Sequence, residues 1–522
     1  MTLEALSQLP LGEVLRYQAA RKPDHPALLS DTRSLSWSEL DAEVDRLATL
    51  MHTVGIQKGD VVAFIINKRP EVVTGFLACA RIGAIYAPVN FKLHPDHIRN
   101  QFQTADIQAV LVERGFDNLL KQLLPQLNDP RKIVYVGERG KHGETCYGDA
   151  DDLDVALPAV EIDAHAPVYL NYTSGTTGRP KGAITSHFNV LFNALTAFDR
   201  DVEGLGFHED TVFLGMFSVF AHPHELFNRS LLCGGTFVIQ DSLSPRVIAE
   251  TIERYRVTWM MAVPSFYEML LDHVDAGDVD LSTLTVLESG GAWVSADMLE
   301  RMEAKFGAGF MPVWGCTEAT GVALAMRPDR ARRPGCTGRP VNGYEVRIVD
   351  AHGRDCGPGE AGELVIRGPA VADGYYNMPE ETMAAFRGGW YYTSDLCQWT
   401  DDGFVAFVGR KSEMLKVGGI RVYPLEIEKV IKDHPEVRDV VVVRAEERIR
   451  GEIPRAVVEC HAGSTLTVKK LKSYCRDRLA VYQVPRIIEF WLEIPKLPNG
   501  KIDKRATVAV PPDARRDERS SA

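Results

Sequence analysis

The chain has 522 residues, 45% of them apolar and 25% charged, with nine cysteines and a formal net charge of -12. At about 150 residues per domain this length sets a prior of two to four domains. The mix excludes wholesale disorder, a collagen-like rod and a disulfide-knotted mini-protein. An excess of 71 acidic over 59 basic side chains does not suit a general polyanion binder, so no nucleic-acid partner is expected. The cysteines are odd in number and no pair has the two-residue metal-ligand gap, which reads as free thiols in a reducing compartment. The N-terminus lacks a basic region followed by an apolar core, and the most apolar windows, 211–220 and 257–264, fall short of the roughly 20 residues that a spanning helix needs. The expectation is a cytoplasmic protein without a membrane span.

In chain order, residues 11–23 read as a first helix. Ser36 and Glu39 form a capping box, and Leu40, Val44, Leu47 and Met51 then share one helical face up to Gly55. Residues 61–67 (VVAFIIN) are a continuous apolar strand, as in a sheet covered on both sides. A helix over about 70–82 follows. Strand-like runs then recur at 109–112, 132–137, 167–174, 211–216, 235–240, 257–263, 285–291 and 309–315. This alternation predicts a large body of stacked α/β layers. From about 330 to 410 the texture becomes short strands divided by Gly and Asp turns, a small β-barrel-like subdomain. After Arg410 comes a glycine-bearing connector and then a small α+β unit. The expected division is 1–410 and 411–522, with a disordered tail beyond about 511.

The most informative stretch is Thr173-Ser174-Gly175-Thr176-Thr177-Gly178-Arg179-Pro180-Lys181, directly after a predicted strand. Hydroxyls and glycines of this kind let backbone N–H groups converge on an anion, and Lys181 adds a mobile positive charge. The common Gly-x-x-x-x-Gly-Lys-Ser/Thr spacing is absent, and a solvated Ser/Thr/Gly loop is the plain alternative.

With its neighbours, YTSGTTGRPKG resembles the signature of the acyl-adenylate-forming enzymes, which include acyl-CoA synthetases, luciferases and peptide-synthetase adenylation domains. The likeness spans roughly 10–510 and rests on several motifs in order. It implies an ATP- and Mg2+-dependent acid–CoA ligase with coenzyme A as co-substrate and a small-molecule carboxylic acid as substrate. In that resemblance the residues from Thr173 to Gly178 with Lys181 hold phosphate. Gly290, Gly291, Ala292, Trp314, Gly315 and Thr317 flank the nucleotide, and Trp314 stands where tyrosine is usual. Glu318, with Thr176, holds the metal. Asp395 and Arg410 contact ribose, and Lys501, in Pro498-Asn499-Gly500-Lys501, is the catalytic lysine on a mobile C-terminal domain. That domain pivots at Ser412, where aspartate or lysine is usual. Lys416, Gly418 and Gly419 then face the thiol arm of CoA. Thr317, Glu318, Lys181 and Lys501 form the expected catalytic set.

The matching acyl pocket is Phe217, Ser218, Phe220, His222, Pro264, Gly291 and Thr320, and a mostly apolar acyl or aryl acid is expected. Ser218 stands where histidine is common. His222 and His224 can take over a polar or gating role, or simply sit in helix turns or at the surface. As metal ligands they lack a third and fourth partner. Cys316 reads as a small packing residue. The other readings are an acyl-AMP ligase that loads a carrier-protein phosphopantetheine, a luciferase-like oxygenase and a non-catalytic nucleotide-binding relative. A chain without a fused carrier domain favours free CoA. Whether the chain is a monomer or a homodimer is not legible in the sequence.

Overall fold

The structure, a computed structural model, describes residues 1–127, 129, 132–137, 144–157, 160–173, 180–198, 206–274, 279–291, 294, 296–327, 333, 335–447, 451–496 and 502–510. Ser174, Gly175, Thr176, Thr177, Gly178, Ala292, Lys501 and the tail after 510 lie outside the described residues.

Two largely parallel sheets form the body. The first runs, in spatial order, Thr145–Cys146, Ile133–Val136, Ile107–Glu113, Val61–Ile65, Ile85–Pro88, Pro167–Thr173 and Lys181–Ser186, antiparallel only in its last pair. In the strand Val61–Ile65 every residue is buried. Val62 and Phe64 enter one core, while Val61, Ala63 and Ile65 enter another. This is why the segment shows no polar alternation. The second sheet runs Arg339–Pro340, Gly321–Ala325, Gly309–Cys316, Val286–Gly290, Trp259–Ala262, Val212–Gly215, Thr236–Ile239, Pro26–Ser30 and Ser34–Ser36. Helices Leu11–Arg21, Trp37–Thr53 and Pro70–Ile82 contribute to one core with strands of both sheets. The capping box at Ser36 and Glu39 is present, and Leu40, Val44, Leu47 and Met51 are fully buried.

Two smaller assemblies follow, antiparallel except where Gly451–Cys460 pairs parallel with Ile487–Trp491. Glu345–Val349, Gly362–Arg367, Trp390–Trp399, Val405–Arg410 and Phe386–Arg387 make a curled sheet. Leu415–Val417, Ile420–Val422, Gly451–Cys460, Val437–Glu447 and Ile487–Trp491 make another, covered by helices Pro424–Lys432 and Val468–Arg476. The α/β class with a β-rich subdomain and a smaller α+β unit is therefore observed. The connector expected after Arg410 is instead a tight hairpin: Gly418 and Gly419 both have positive φ, 56° and 88°, as a two-residue hairpin turn of the primed type requires. A short antiparallel partner to Pro26–Ser30, over Ser34–Ser36, escaped the sequence reading because three residues show no periodicity.

One buried ion pair ties the second sheet to the helix Asn228–Cys233. Arg229 is bonded to Glu288 through its two terminal guanidinium nitrogens, and Glu288 Oε2 also accepts from Trp259 Nε1 at 3.0 Å. Side-chain exposure is 3% for Arg229 and 2% for Glu288, so removing one partner strands a charge. Glu288→Ala is expected to cost about 3–5 kcal/mol, read as a lowered urea midpoint, whereas an exposed pair such as Arg246–Glu250 should contribute under about 1 kcal/mol.

Candidate active site

The strand Pro167–Thr173 pairs with Lys181–Ser186 so that Thr173 lies opposite Lys181. The pairing brings the two ends of the Ser/Thr/Gly segment, Thr173 and Lys181, together. Gly182 lies against the Tyr172 ring, which a Cβ there would approach to 3.1 Å. The segment Gly374–Tyr376 lies along the hairpin: Ile184 N donates to Gly374 O at 2.9 Å and Tyr376 N to Gly182 O at 2.8 Å. This places the Tyr375 ring 5.0 Å below Lys181 Nζ.

Tyr375 is the link the sequence did not reveal. Its hydroxyl donates to Glu318 Oε1 at 2.6 Å, and Ala372 N donates to Glu318 O at 2.8 Å. Burial and the neighbouring carboxylate hold the Tyr375 phenol well above its usual range, so it stays a donor. Lys181, Tyr375 and Glu318 therefore form one connected group across two sheets. The usable signal was the Tyr375-Tyr376 doublet after Gly374, with Tyr375 seven residues before Thr382, whose hydroxyl accepts from Tyr375 N at 2.9 Å.

Glu318 is 6% exposed and sits in the turn Thr317–Ala319 that follows the strand Gly309–Cys316. The next strand, Gly321–Ala325, returns so closely that a Cβ on Gly315 would meet Gly321 O at 2.3 Å. Thr320 takes the left-handed conformation, φ 55°, which costs a non-glycine residue on the order of 1 kcal/mol or more. It is held there by its Oγ1 donating to Ala370 O at 2.7 Å. Gly290 ends the adjacent strand, Val286–Gly290, and Gly291 has φ 88°.

Trp314, Asp395 and Arg410 also come together. Trp314 Nε1 donates to Asp395 Oδ2 at 2.9 Å, and Arg410 Nε lies 3.1 Å from Asp395 Oδ1. Asp395 and Arg410 face each other across adjacent strands. The Asp395 carboxylate raises the Arg410 guanidinium further above its usual value. The indole is 8% exposed and packs with Tyr344, Leu364 and Tyr391.

Arg410 O accepts from Glu413 N and Met414 N, so Ser412 sits inside a hydrogen-bonded turn. Lys416, Gly418 and Gly419 belong to the C-terminal hairpin, where Lys416 N donates to Glu452 Oε2 at 2.6 Å. The segment that carries Lys501 is closed by a bridge between Lys496 and Ile502. Lys504 Nζ ties it to Glu413, 2.7 Å, and Glu428, 3.4 Å.

Of the pocket candidates, Pro264 opens the helix Pro264–Val274. Phe217 and Phe220 are half-buried against the main core, and the Ser218 hydroxyl is buried with no partner among the described residues. His222, His224 and a third group, Glu225, converge. His224 and Glu225 are 0% and 3% exposed. Burial pushes the His224 imidazolium down to about 3 and the Glu225 carboxyl up to about 8, Arg229 drawing the latter back.

The family model for the AMP-binding enzyme matches residues 15–376, and that for the AMP-binding enzyme C-terminal domain matches 426–501. The chain belongs to the AMP-binding enzyme family. A feruloyl-CoA synthase of an Amycolatopsis species is 31% identical over 497 residues, 93% of this chain and 96% of the relative. The structure of an anthranilate CoA ligase with anthranoyl-AMP superposes with a TM-score of 0.88 at 26% identity, over 97% of this chain and 98% of that one. An o-succinylbenzoate coenzyme A synthetase of Bacillus subtilis with ATP and magnesium ion gives 0.81 at 26% identity, over 94% and 98%. No helix among the described residues is long and apolar enough to cross a membrane.

The buried Glu225 has a consequence for stability. Its folded pKa of about 8 exceeds the ordinary 4.5, so between those values the unfolded chain has released a proton that the folded chain keeps. Stability from this group falls as pH rises through that window. The thermal midpoint of Glu225→Gln should therefore lose less than that of the parent protein between pH 5 and 8, which scanning calorimetry at stepped pH will show.

Proposed function

We propose that this protein is an acid–CoA ligase that activates an apolar acyl or aryl acid as its acyl-adenylate and passes the acyl group to the thiol of coenzyme A. The observation that carries the reading is the Lys181–Tyr375–Glu318 group beside the Ser/Thr/Gly segment. A mobile cation and a buried carboxylate are held at a segment rich in hydroxyls and backbone donors. The same arrangement suits a nucleoside triphosphate and its metal better than it suits a surface loop.

A carboxylate is a poor acyl donor because oxide is a poor leaving group. One carboxylate oxygen forms a bond to the α-phosphorus of ATP, and the bond to pyrophosphate breaks. The product, an acyl-AMP, has a good leaving group. The CoA sulfur then bonds to the carbonyl carbon and AMP leaves. Repulsion between the phosphates and the incoming carboxylate is the main obstacle. In this reading Lys181 and the Ser/Thr/Gly segment offset the charge of the outer phosphates, and Lys501 bridges the carboxylate and the α-phosphate as charge builds. Asp395 accepts from ribose hydroxyls, with Arg410 beside it, and Ser412 is the pivot between 1–410 and 411–522.

Magnesium suits the donor set. A hard divalent cation wants oxygen ligands and keeps waters and phosphate oxygens, so the Glu318 carboxylate, with the Thr176 hydroxyl, meets its needs. Tyr375 fixes one carboxylate oxygen from behind, as outer partners of metal ligands do. The ion supplies charge neutralisation at the phosphates.

Pyrophosphate release with ATP, Mg2+ and a panel of acids tests the proposal. The expected result is acid-dependent release, raised by CoA and matched by thioester. Release that CoA leaves unchanged, with no thioester, would refute transfer to CoA; transfer instead to a carrier-protein phosphopantetheine would establish the other acceptor. Tyr375→Phe keeps the ring under Lys181 but removes the hydrogen bond that the hydroxyl gives Glu318. It should lower kcat/KM for adenylation roughly tenfold and raise the Mg2+ concentration needed for half-maximal rate. An unchanged Mg2+ dependence would contradict the role given to this hydroxyl.

A further inference from the structure

The segment that carries Lys501 is anchored through the residues that follow it. Ile502 bridges to Lys496 and packs against the small apolar cluster of Val441, Val443, Trp491 and Ile494. Asp503 N donates to Pro495 O at 2.8 Å, and the Asp503 carboxylate caps the short helix Lys504–Ala509 by accepting from Ala506 N at 2.9 Å. Lys504, three residues beyond Lys501, then places its ammonium 2.7 Å from Glu413 Oε2 and 3.4 Å from Glu428 Oε1.

Glu428 belongs to the helix Pro424–Lys432 and also accepts from Val442 N at 2.8 Å, on the strand Val437–Glu447. Glu413 stands one residue past Ser412. Ahead of Ser412 the anchoring changes sides. Lys411 Nζ lies 2.9 Å from Glu363 Oε2, and Lys411 N donates to Ser394 O at 2.9 Å, both on the curled sheet. The side chain before Ser412 is thus tied to the large body, and the side chain after it to the small unit. One ammonium joins the first residue past Ser412, the covering helix and the segment of Lys501.

An isolated exposed ion pair contributes little. Here two carboxylates share one ammonium, and the Glu428 side chain is only 13% exposed. Burial lowers the Lys504 ammonium, but Glu428 and Glu413 outweigh it and hold it above its usual range. Without that charge the two carboxylates would face each other with no cation between them, and like charges separate. The segments they hold would shift with them. A group that must meet a carboxylate and a phosphate in the transition state tolerates little displacement: a misplacement of about 1 Å costs on the order of 100-fold.

We propose that Lys504 is the positioning residue for Lys501. It holds the segment to Glu413 and Glu428, so that a turn at Ser412 delivers the catalytic amine to its place. This rests on the adenylation reading above. Lys504 acts through Lys501 and touches neither substrate.

The test compares two rates in one set of full-length proteins. Acyl-AMP formation is followed in a single turnover from saturating ATP and the best acid of the panel. Thioester formation is followed from ready-made acyl-AMP and CoA. Lys504→Met should slow the first reaction by roughly 10- to 100-fold, with half-saturating ATP within about twofold of the parent. It should slow the second by less than about threefold. Lys504→Arg, which keeps the charge, should recover most of the first rate. Adding Glu413→Gln to Lys504→Met removes one of the two facing carboxylates, and should raise the first rate roughly three- to tenfold over Lys504→Met alone.

Equal slowing of both reactions would assign Lys504 to the folding of the small unit and overturn the inference. An unchanged first rate in Lys504→Met, beside a large loss in Lys501→Ala, would also overturn it and leave the ligase reading standing. Acyl-AMP formed at the parental rate by Lys501→Ala would overturn the adenylation reading beneath it as well. If Lys504→Met does not fold, Glu413→Gln alone carries the test. It should slow the first reaction by roughly threefold or more and spare the second, and an unchanged first rate there would overturn the inference.

Discussion

The site turns on one buried carboxylate. Glu318, 6% exposed, is met directly by the Tyr375 hydroxyl, and Lys181 stands over the same phenol ring. Buried charge without such partners would be neutralised or expelled. The first sheet supplies Lys181, the second supplies Glu318, and the Gly374–Tyr376 segment joins them. Their geometry therefore depends on the packing of the whole large body, with its shared core, more than on any local loop.

A second group follows the same logic. Trp314, Asp395 and Arg410 come from three strands, and the indole and guanidinium each take one oxygen of the carboxylate. Where the related enzymes usually carry tyrosine, this chain uses the indole nitrogen to orient Asp395. The two groups share the strand Gly309–Cys316 and its turn, so the distance between the proposed ribose and metal positions is set by a few residues of backbone. The left-handed Thr320 and the close return at Gly315 fix that turn. Strain of this kind persists only where surrounding contacts over-determine it.

Much of the fold was legible because it rests on local signals. The continuous apolar run at Val61–Ile65, the capping box at Ser36 and the helix Pro70–Ile82 each follow from periodicity and capping in one short window. The glycine pair Gly418-Gly419 was visible too, but its meaning was not, since a hairpin depends on which strands pair. The candidate site was legible as motifs and opaque as a network. Tyr375 was missed because its value comes from a contact 57 positions away along the chain. Glu225 was missed because a carboxylate beside His224 carries no periodic signature, and its burial comes from helix and sheet packing.

Lys501 offers the most direct trial of the whole account. Acyl-AMP formed in a single turnover from ATP and acid should be measured by rapid quench for Lys501→Ala beside the parent protein, and thioester formation should be measured separately from acyl-AMP supplied ready-made. The account predicts a loss of at least about 100-fold in the first reaction and less than about tenfold in the second. Acyl-AMP formed at the parental rate by Lys501→Ala would contradict it.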